Sequence, residues 1–252
     1  MAAGEPHDRS HPKDTRLGDS ERASAAADTS ARADERDRMV ERQLASRGIA
    51  DPRVLEAMRS VPRELFVPEP FWHDAYADRP LPIEAAQTIS QPYIVALMIE
   101  AAALAPDDRA LEVGAGSGYA TAVMSRVARE VVGIERHREL AEQAAERLQR
   151  LGYGNAEVRC GDGSAGCPER APFDAIVVSA SGPRVPDVLL AQLAPGGRLV
   201  MPVGGEHFAQ RLVKVTRRAD AFEEEDLGGV AFVPLIGTEG WPDRGRAFDD
   251  EP

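Results

Sequence analysis

A short glycine-rich segment combines an acidic side chain with backbone that can turn tightly. Residues 109–118 read R-A-L-E-V-G-A-G-S-G, so Glu112 lies in an apolar run that is followed by glycines at 114, 116 and 118. The run predicts a buried parallel strand, and the apolar spacing of residues 119–127 predicts a helix packed against it. Glycines at such a junction let the backbone approach a ligand closely. The segment therefore predicts a loop that binds a nucleotide-type cofactor.

A second acid follows at a distance that suits a ribose. Glu135 ends the next apolar run, E-V-V-G-I-E. An acid about twenty residues beyond the glycines can accept hydrogen bonds from ribose hydroxyls. This pairing favours a ligand site, although a glycine-rich turn without a ligand is the alternative.

The glycine spacing indicates which nucleotide is bound. A dinucleotide fingerprint, G-x-G-x-x-G, would place its third glycine where Tyr119 stands. Here the third glycine comes one residue earlier, a spacing typical of methyltransferases that bind S-adenosylmethionine. The carboxylate of Glu112 suits the cationic ammonium group of that cofactor and would oppose a pyrophosphate.

Alternating strands and helices must position this loop. Strands are predicted for E-V-V-G-I-E, A-E-V-R-C, F-D-A-I-V-V-S-A and R-L-V-M-P-V, with helices at residues 140–151 and 188–193 between them. Such alternation predicts a parallel sheet with ligands at the carboxyl ends of the strands. The last patterns, F-A-Q-R-L-V-K-V-T and G-G-V-A-F-V-P-L, predict an antiparallel edge that closes the sheet.

Composition narrows the class of protein. The net charge of −12, without a basic block, argues against nucleic acid or an anionic membrane as the main partner. Cys160 and Cys167 are too few for a disulfide framework or a four-ligand zinc site, so no metal is expected. The chain shows neither an apolar run of membrane-spanning length nor a signal peptide. We therefore expect a cytoplasmic protein.

Residues 1–36 are rich in Ala, Asp, Arg and Ser and carry almost no large apolar side chain. We expect a disordered tail there, a single domain over residues 37–241, and a flexible C-terminus over 242–252. Within the domain, residues 38–47 have helical spacing, and Asp51-Pro52 opens a second helix that carries Val54, Leu55 and Met58.

The segment at residues 81–100 is the second informative one. Its first half is polar and turn-like, and its second half predicts a helix with Ser90 as the cap and Pro92 in the first turn. Spacing alone favours no more than a capped helix start.

Several motifs, in order along residues 39–241, resemble those of the protein-L-isoaspartate O-methyltransferase family. They are V-P-R-E-L-F-V at 61–67, A-Y-A-D-R-P-L-P-I at 75–83, Q-T-I-S-Q-P-Y-I-V-A at 87–96, E-V-G-A-G-S-G-Y at 112–119, G-D-G at 161–163, P-F-D-A-I at 172–176, P-G-G-R-L-V-M-P-V-G at 195–204 and F-V-P-L at 232–235. The glycine motif is shared by many methyltransferases, whereas Q-T-I-S-Q-P and F-V-P-L are far more specific to this family.

The resemblance implies a fold and an activity. The fold is a Rossmann-like class I methyltransferase α/β fold, with a mainly parallel seven-stranded sheet, an antiparallel edge, and helices on both faces. The activity is methyl transfer from S-adenosylmethionine to the α-carboxylate of isoaspartyl residues in damaged proteins and peptides, as part of repair. Such a carboxyl, with a pKa of about 3.5, is already ionised at neutral pH and needs no general base. His137 and His207 therefore have no predicted role. We also expect the protein to be a monomer.

The resemblance also implies site residues. The catalytic serine matches Ser90, which would hold the acceptor carboxylate. The positions that contact the substrate backbone match Thr88, Ile89 and, on the predicted closing strand, Val233. The cofactor positions match Glu112, Gly114, Ala115, Gly116 and Ser117 in the loop, Glu135 at the ribose, and Asp162 and Gly163 at the adenine. Taken alone, Asp162-Gly163 would be an ordinary turn.

One departure is Ala86, which stands where the family commonly has glycine. The alanine is harmless if its φ is negative and strains the substrate loop by about 1 kcal/mol or more if its φ is positive. Three alternatives stay open. They are a carboxyl methyltransferase dedicated to one modified peptide, a non-catalytic cofactor-binding relative, and an NAD-dependent dehydrogenase, against which Tyr119 argues.

Overall fold

Strands and helices alternate from residue 109 onward in the computed structural model, which describes residues 32–206, 209–219 and 221–243. The strands are Leu81–Pro82 (β1), Thr88–Ile89 (β2), Arg109–Val113 (β3), Glu130–Glu135 (β4), Ala156–Cys160 (β5), Phe173–Val178 (β6), Leu193–Gly204 (β7), Gln210–Arg217 (β8) and Phe222–Val230 (β9). The α-helices are 32–39 (α1), Pro52–Ser60 (α2), Pro92–Ala102 (α3), Tyr119–Ser125 (α4), Arg138–Arg150 (α5) and Asp187–Ala191 (α6).

The main sheet has seven strands in the order β5-β4-β3-β6-β7-β8-β9. Strands β5, β4, β3, β6 and β7 pair in parallel, whereas β8 and β9 add an antiparallel edge. The predicted fold is confirmed. The strand order reverses between β3 and β6, and in open α/β sheets ligands bind at such a switch point, beyond the carboxyl ends of the strands.

Two apolar cores cover the two faces of this sheet. Alternate residues of β6 enter different cores: Ala175 and Val177 pack with α3, α4 and α5, whereas Ile176 and Val178 pack with Leu189 of α6. A strand that is buried on both faces reads as a continuous apolar run, which is why F-D-A-I-V-V was recognisable as a strand. The cores hold the loops at the carboxyl ends of β3, β4 and β6 in fixed positions.

The chain before the sheet is helical and begins earlier than expected. Helix α1 includes residues 32–36, for which the composition predicts a disordered tail, and continues as a π-helical turn and a 3-10 turn to Arg47. Arg36 donates to the Tyr76 hydroxyl at 3.0 Å, a contact that composition could not indicate. The rest of the predicted tail, residues 1–31, lies outside the described residues, as do residues 244–252 of the predicted flexible C-terminus.

Two local predictions about helix starts had different outcomes. Asp51 caps α2 by accepting from the Arg53 amide at 2.8 Å, with Pro52 in the first turn, so that prediction is confirmed. Ser90 as the cap of α3 is wrong: the cap position is Gln91, without a side-chain cap bond. Pro92 does occupy the first turn, and the backbone before a proline is extended, which moves the cap residue one position closer to it.

The strand that closes the sheet also lies earlier in the chain than the pattern G-G-V-A-F-V-P-L predicts. The antiparallel edge is β9, the acid-rich segment Phe222–Val230, whereas F-V-P-L follows it as an irregular segment. Val233 therefore lies not on a sheet strand but in a stretch that forms a single bridge from Pro234 to Ser181 after β6. Because exposed edge strands tolerate charged residues, β9 lacks the apolar pattern by which a strand is recognised in a sequence. Within the described part of the chain, the helices are too short or too polar to cross a lipid bilayer.

A small antiparallel hairpin precedes α3, and Ala86 lies in its turn. Strands β1 and β2 pair Leu81 with Ile89 and Pro82 with Thr88. Between them Ala85 and Ala86 have positive φ angles of 54° and 52°. The left-handed region disfavours residues with a Cβ atom, so the unfavourable alternative for Ala86 is the one that the structure shows.

We expect Ala86→Gly to stabilise the protein. Removing the Cβ atom relieves the strain of the left-handed conformation and stabilises the folded state by about 1–2 kcal/mol. Glycine also has more conformational freedom in the unfolded chain, and this offsets roughly 0.5–1 kcal/mol of the gain. Urea unfolding should therefore show a net gain of up to about 1 kcal/mol. Ala50→Gly is the matched control, because Ala50 is also exposed but not at positive φ. Equal effects of the two substitutions would contradict the assignment of strain.

Candidate functional site

A cleft opens at the carboxyl ends of β3, β4 and β6. The predicted site residues that line it are Thr88, Gly114, Gly116, Glu135, Gly163 and Val233. Because these residues come from five separate segments, the cleft exists only in the folded chain. It lies at the switch point of the sheet, where α/β folds place their ligands.

A second, smaller cavity adjoins this cleft. The predicted site residues that line it are Thr88, Ile89, Ser90, Glu112, Gly114, Ala115, Gly116 and Ser117. Thr88, Gly114 and Gly116 border both spaces, as does Ser179. The two cavities are therefore neighbouring compartments of one site, and the glycine-rich loop lies between them.

The backbone of this loop requires its glycines. Gly114, Gly116 and Gly118 have φ angles of 82°, 54° and 85°, in the region that favours glycine. Glu135 accepts from the Gly116 amide at 2.8 Å and from the His137 amide at 2.9 Å. Each carboxylate oxygen has two lone pairs, so Glu135 can still accept hydrogen bonds from a ligand in the cleft that it lines.

Helix α5 supports the same loop from behind. Arg147 donates to the Ser117 carbonyl oxygen at 2.7 Å, and burial lowers the pKa of this guanidinium. A Cβ atom on Gly118 would lie 3.2 Å from the Ala144 Cβ, tighter than an ordinary contact. The loop is thus held by β4 through Glu135 and by α5 through Arg147.

Glu112 is a buried acid at the boundary of the smaller cavity. Its side chain is 1% exposed and accepts hydrogen bonds from the hydroxyls of Thr121 and, at 3.2 Å, Ser179. Burial raises the pKa of Glu112 to about 8, although these two hydrogen bonds counteract the rise. A cationic ligand beside it would favour the ionised form, so this acid can recognise positive charge.

Ser90 lines the smaller cavity, and its hydroxyl has no hydrogen-bond partner among the described residues. Ser90 follows β2 directly and is half-buried, next to the buried Ile89. Because it does not cap α3, its hydroxyl is free to donate to a bound group.

Asp162 is the one predicted site residue that lines neither cavity. Its carboxylate accepts from the amide and hydroxyl of Ser164 and from the amide and hydroxyl of Thr238. Burial raises the pKa of Asp162, but these hydrogen bonds outweigh that effect and hold the pKa below its ordinary value. Its adenine role stays a prediction, since what the structure shows is a bridge between two segments of the chain.

Several residues of the site escaped the sequence analysis. Ser179 follows β6 and borders both cavities, and its position directly after a buried strand was the signal that could have found it. His137, for which we predicted no role, is half-buried and lines the larger cleft; His207 lies outside the described residues. Among the described residues, no three His, Cys, Asp or Glu side chains gather in a group that could hold a metal ion.

Comparison with known proteins places this geometry in a family. The family described as Protein-L-isoaspartate(D-aspartate) O-methyltransferase matches residues 34–240. A protein-L-isoaspartate O-methyltransferase of Rhodopseudomonas palustris is 59% identical over 204 residues, which are 81% of this chain and 94% of the relative. One from Methanoregula boonei is 55% identical over 210 residues, covering 83% of this chain and 96% of the relative.

Solved structures agree with the sequence relatives. One protein-L-isoaspartate O-methyltransferase superposes with a TM-score of 0.75 at 31% identity, covering 81% of this chain and 67% of that chain. A putative member from Plasmodium falciparum, solved in complex with S-adenosyl-L-homocysteine, has a TM-score of 0.69 at 29% identity and covers 80% of this chain and 98% of that chain.

The burial of Glu112 predicts that the stability of the folded protein depends on pH. Its pKa of about 8 lies above the ordinary glutamate value of about 4.5, so the folded state binds more protons between these pH values and stability falls as pH rises through this window. Between pH 6 and pH 8, wild type should lose about 2–3 kcal/mol of unfolding free energy more than Glu112→Gln.

Urea unfolding at several pH values measures this difference. Glu142→Gln is the control, since Glu142 is exposed on α5, and it should follow the wild-type profile. Parallel profiles for wild type and Glu112→Gln would show that Glu112 is not protonated in the folded protein.

Proposed function

From the premise that this chain belongs to the protein-L-isoaspartate O-methyltransferase family, we propose how its two cavities divide the work of the enzyme. The enzyme transfers a methyl group from S-adenosylmethionine to the α-carboxylate of isoaspartyl residues. The larger cleft would hold the nucleoside part of the methyl donor, and the smaller cavity would receive the acceptor carboxylate.

The residues of the larger cleft fit a nucleoside. Glu135 presents a carboxylate that is 5% exposed and still has lone pairs available, which suits ribose hydroxyls. The apolar side chains of Ile134 and Leu235 line the same cleft and suit an aromatic base. Glu112, at the other side of the loop, would neutralise the ammonium group of the amino acid part, with Gly114, Ala115, Gly116 and Ser117 as the surrounding backbone.

The smaller cavity fits a carboxylate acceptor. The unpartnered hydroxyl of Ser90 would donate a hydrogen bond to the acceptor carboxylate and hold it beside the loop. Thr88 and Ile89 on the hairpin and Val233 in the wall of the larger cleft would contact the substrate backbone. The observation that carries this proposal is that Ser90 and the glycine-rich loop border one cavity, although 22 or more residues separate them in sequence.

Methyl transfer to a carboxylate requires that the attacking oxygen be aligned with the methyl group, and it does not require a proton transfer. S-adenosylmethionine supplies a methyl group that its sulfonium activates for transfer. The acceptor carboxyl, with a pKa of about 3.5, is ionised at neutral pH, so no side chain has to remove a proton. Ser90 would orient the attacking oxygen, and the buried side chains of Ile89 and Val95 would exclude water that otherwise solvates it.

The wider role proposed for this enzyme is repair of damaged proteins in the cytoplasm, where it would act as a monomer. The methyl ester of an isoaspartyl residue cyclises readily to a succinimide, whose hydrolysis returns some normal aspartate. The family membership supports this role, and the net charge of −12 is consistent with a protein whose main partner is not nucleic acid.

Methyl transfer to a defined peptide tests the activity and its breadth. Labelled methyl should pass from S-adenosylmethionine to isoaspartyl peptides of several sequences and not to the matching aspartyl peptides. The strained Ala86 is the feature that would suit a relative dedicated to one peptide. Transfer to a single peptide sequence, or to none, would contradict the general repair function.

Ser90 variants test the acceptor site. Ser90→Ala should lower kcat/KM for an isoaspartyl peptide by roughly 1–3 kcal/mol of transition-state stabilisation, with little change in stability, because the hydroxyl caps no helix. Ser90→Asp should fold and be nearly inactive, since it sets a negative charge against the carboxylate. Ser46→Asp, at an exposed serine, is the control for added charge. Wild-type turnover by Ser90→Asp would remove Ser90 from the site.

Glu135→Ala tests the ribose site. Loss of hydrogen bonds to a charged acceptor should weaken binding of S-adenosylhomocysteine by about 1.5–3 kcal/mol in calorimetric titration. Glu139→Ala, four residues further on and exposed, should bind as wild type does. A folded Glu135→Ala protein with unchanged affinity would show that this acid does not contact the cofactor.

A further inference from the structure

The segment from Val233 to Trp241 crosses the carboxyl end of β6 and forms one wall of the larger cleft. Val233, Pro234, Leu235 and Ile236 line that wall. Ser181, two residues beyond Ser179, anchors the segment: its amide donates to the Val233 oxygen at 2.8 Å, and its oxygen accepts from the Leu235 amide at 2.8 Å. The indole of Trp241 donates to the same Ser181 oxygen at 3.0 Å. One side of the wall is therefore fixed to β6.

Asp162 fixes the other side. Its Oδ2 accepts from the Thr238 amide at 2.8 Å and from the Thr238 hydroxyl at 3.0 Å. Its Oδ1 accepts from the amide and hydroxyl of Ser164 at 3.0 and 2.6 Å, and the Ser164 hydroxyl in turn accepts from the Glu239 amide at 3.0 Å. The loop after β5 and the C-terminal segment are thus joined through one carboxylate.

The junction leaves no room for a larger residue at position 237. A Cβ atom on Gly237 would lie 2.1 Å from Asp162 Oδ1 and 2.3 Å from Ser164 Oγ, distances that real Cβ atoms do not reach. The segment therefore approaches Asp162 as closely as its backbone allows. A contact this close transmits a change at Asp162 to the residues on both sides of Gly237.

We infer that Asp162 is a positioning residue, which sets the place of the wall Val233–Ile236 and through it the binding of both substrates. This inference rests on the proposed assignment of the larger cleft to the methyl donor and of Val233 to the acceptor backbone. Asp162 lines neither of these two cavities but an open pocket that shares Ile236 with the larger cleft. Its carboxylate is occupied by Ser164 and Thr238, so it acts on the wall through Thr238 and Gly237.

A double-mutant cycle on Asp162 and Thr238 tests the inference. Thr238→Val removes the hydroxyl bond but keeps the backbone amide, and Thr238 lines neither cavity. Thr238→Val and Asp162→Asn should each raise the Kd for S-adenosylhomocysteine and the KM for an isoaspartyl peptide by about three- to tenfold, the worth of a hydrogen bond, with kcat within about twofold of wild type. The double variant should be no weaker than the weaker single variant, and Thr238→Ser should restore binding.

Tryptophan fluorescence gives a readout that is independent of activity. The chain has two tryptophans, so Trp72→Phe leaves Trp241 as the single reporter on the segment. In that background Thr238→Val and Asp162→Asn should both increase quenching of Trp241 by iodide. Thr216→Val, on β8 and away from the segment, is the matched control and should change neither quenching nor binding.

Several results would overturn the inference. If Asp162→Asn weakens S-adenosylhomocysteine binding while Thr238→Val leaves binding and Trp241 quenching unchanged, Asp162 acts directly on the adenine. If Thr238→Val lowers kcat in proportion to the folded fraction, its role is structural only. If Trp241 responds as expected but wild type binds no S-adenosylhomocysteine, the proposed function fails while the positioning of the segment by Asp162 stands.

Discussion

The site depends on the hydrogen bonds that the carboxylate of Glu135 accepts from two backbone amides. Glu135 ends a buried strand and accepts from the backbone amides of Gly116 and His137, so it joins the glycine-rich loop to the start of α5. Parallel strands end at one edge of the sheet, and this brings the loop after β3 beside the end of β4. A backbone with three glycines at positive φ would otherwise be free to move, and the hydrogen bonds to a charged acceptor hold it in place.

Besides Glu135, one further acid and two serines surround that loop. Glu112 is buried at the end of β3, where desolvation favours its neutral form, while Ser179 bridges towards the larger cleft. Ser90 enters from the hairpin before α3, which belongs to the part of the chain that precedes the sheet. The site therefore combines loops at the carboxyl edge of the sheet with residues from the N-terminal elements and the C-terminal segment.

Local patterns predicted the elements well where packing and periodicity agree. The apolar runs of β3, β4 and β6, the glycine spacing, and the Asp51-Pro52 helix start are each contained in a short stretch of sequence, so the pattern is visible before the partner strands are known. The acid-rich β9 was missed because an exposed edge strand has little apolar area to bury, and the helical residues 32–36 were missed because their polar side chains find partners far along the chain. The positive φ of Ala86 could be posed as an alternative but not decided.

The sequence by itself determined the parallel sheet, the glycine-rich loop with the acid that follows about twenty residues later, and the resemblance to a methyltransferase family, because each is contained in short segments. Only the tertiary structure decided which side chains face a cavity. Asp162 turned out to bond Thr238, 76 residues away, instead of lining the cleft, and the cap role expected for Ser90 was absent. The physical reason is that hydrogen-bond partners of a polar side chain are chosen by proximity after folding, which local sequence does not encode.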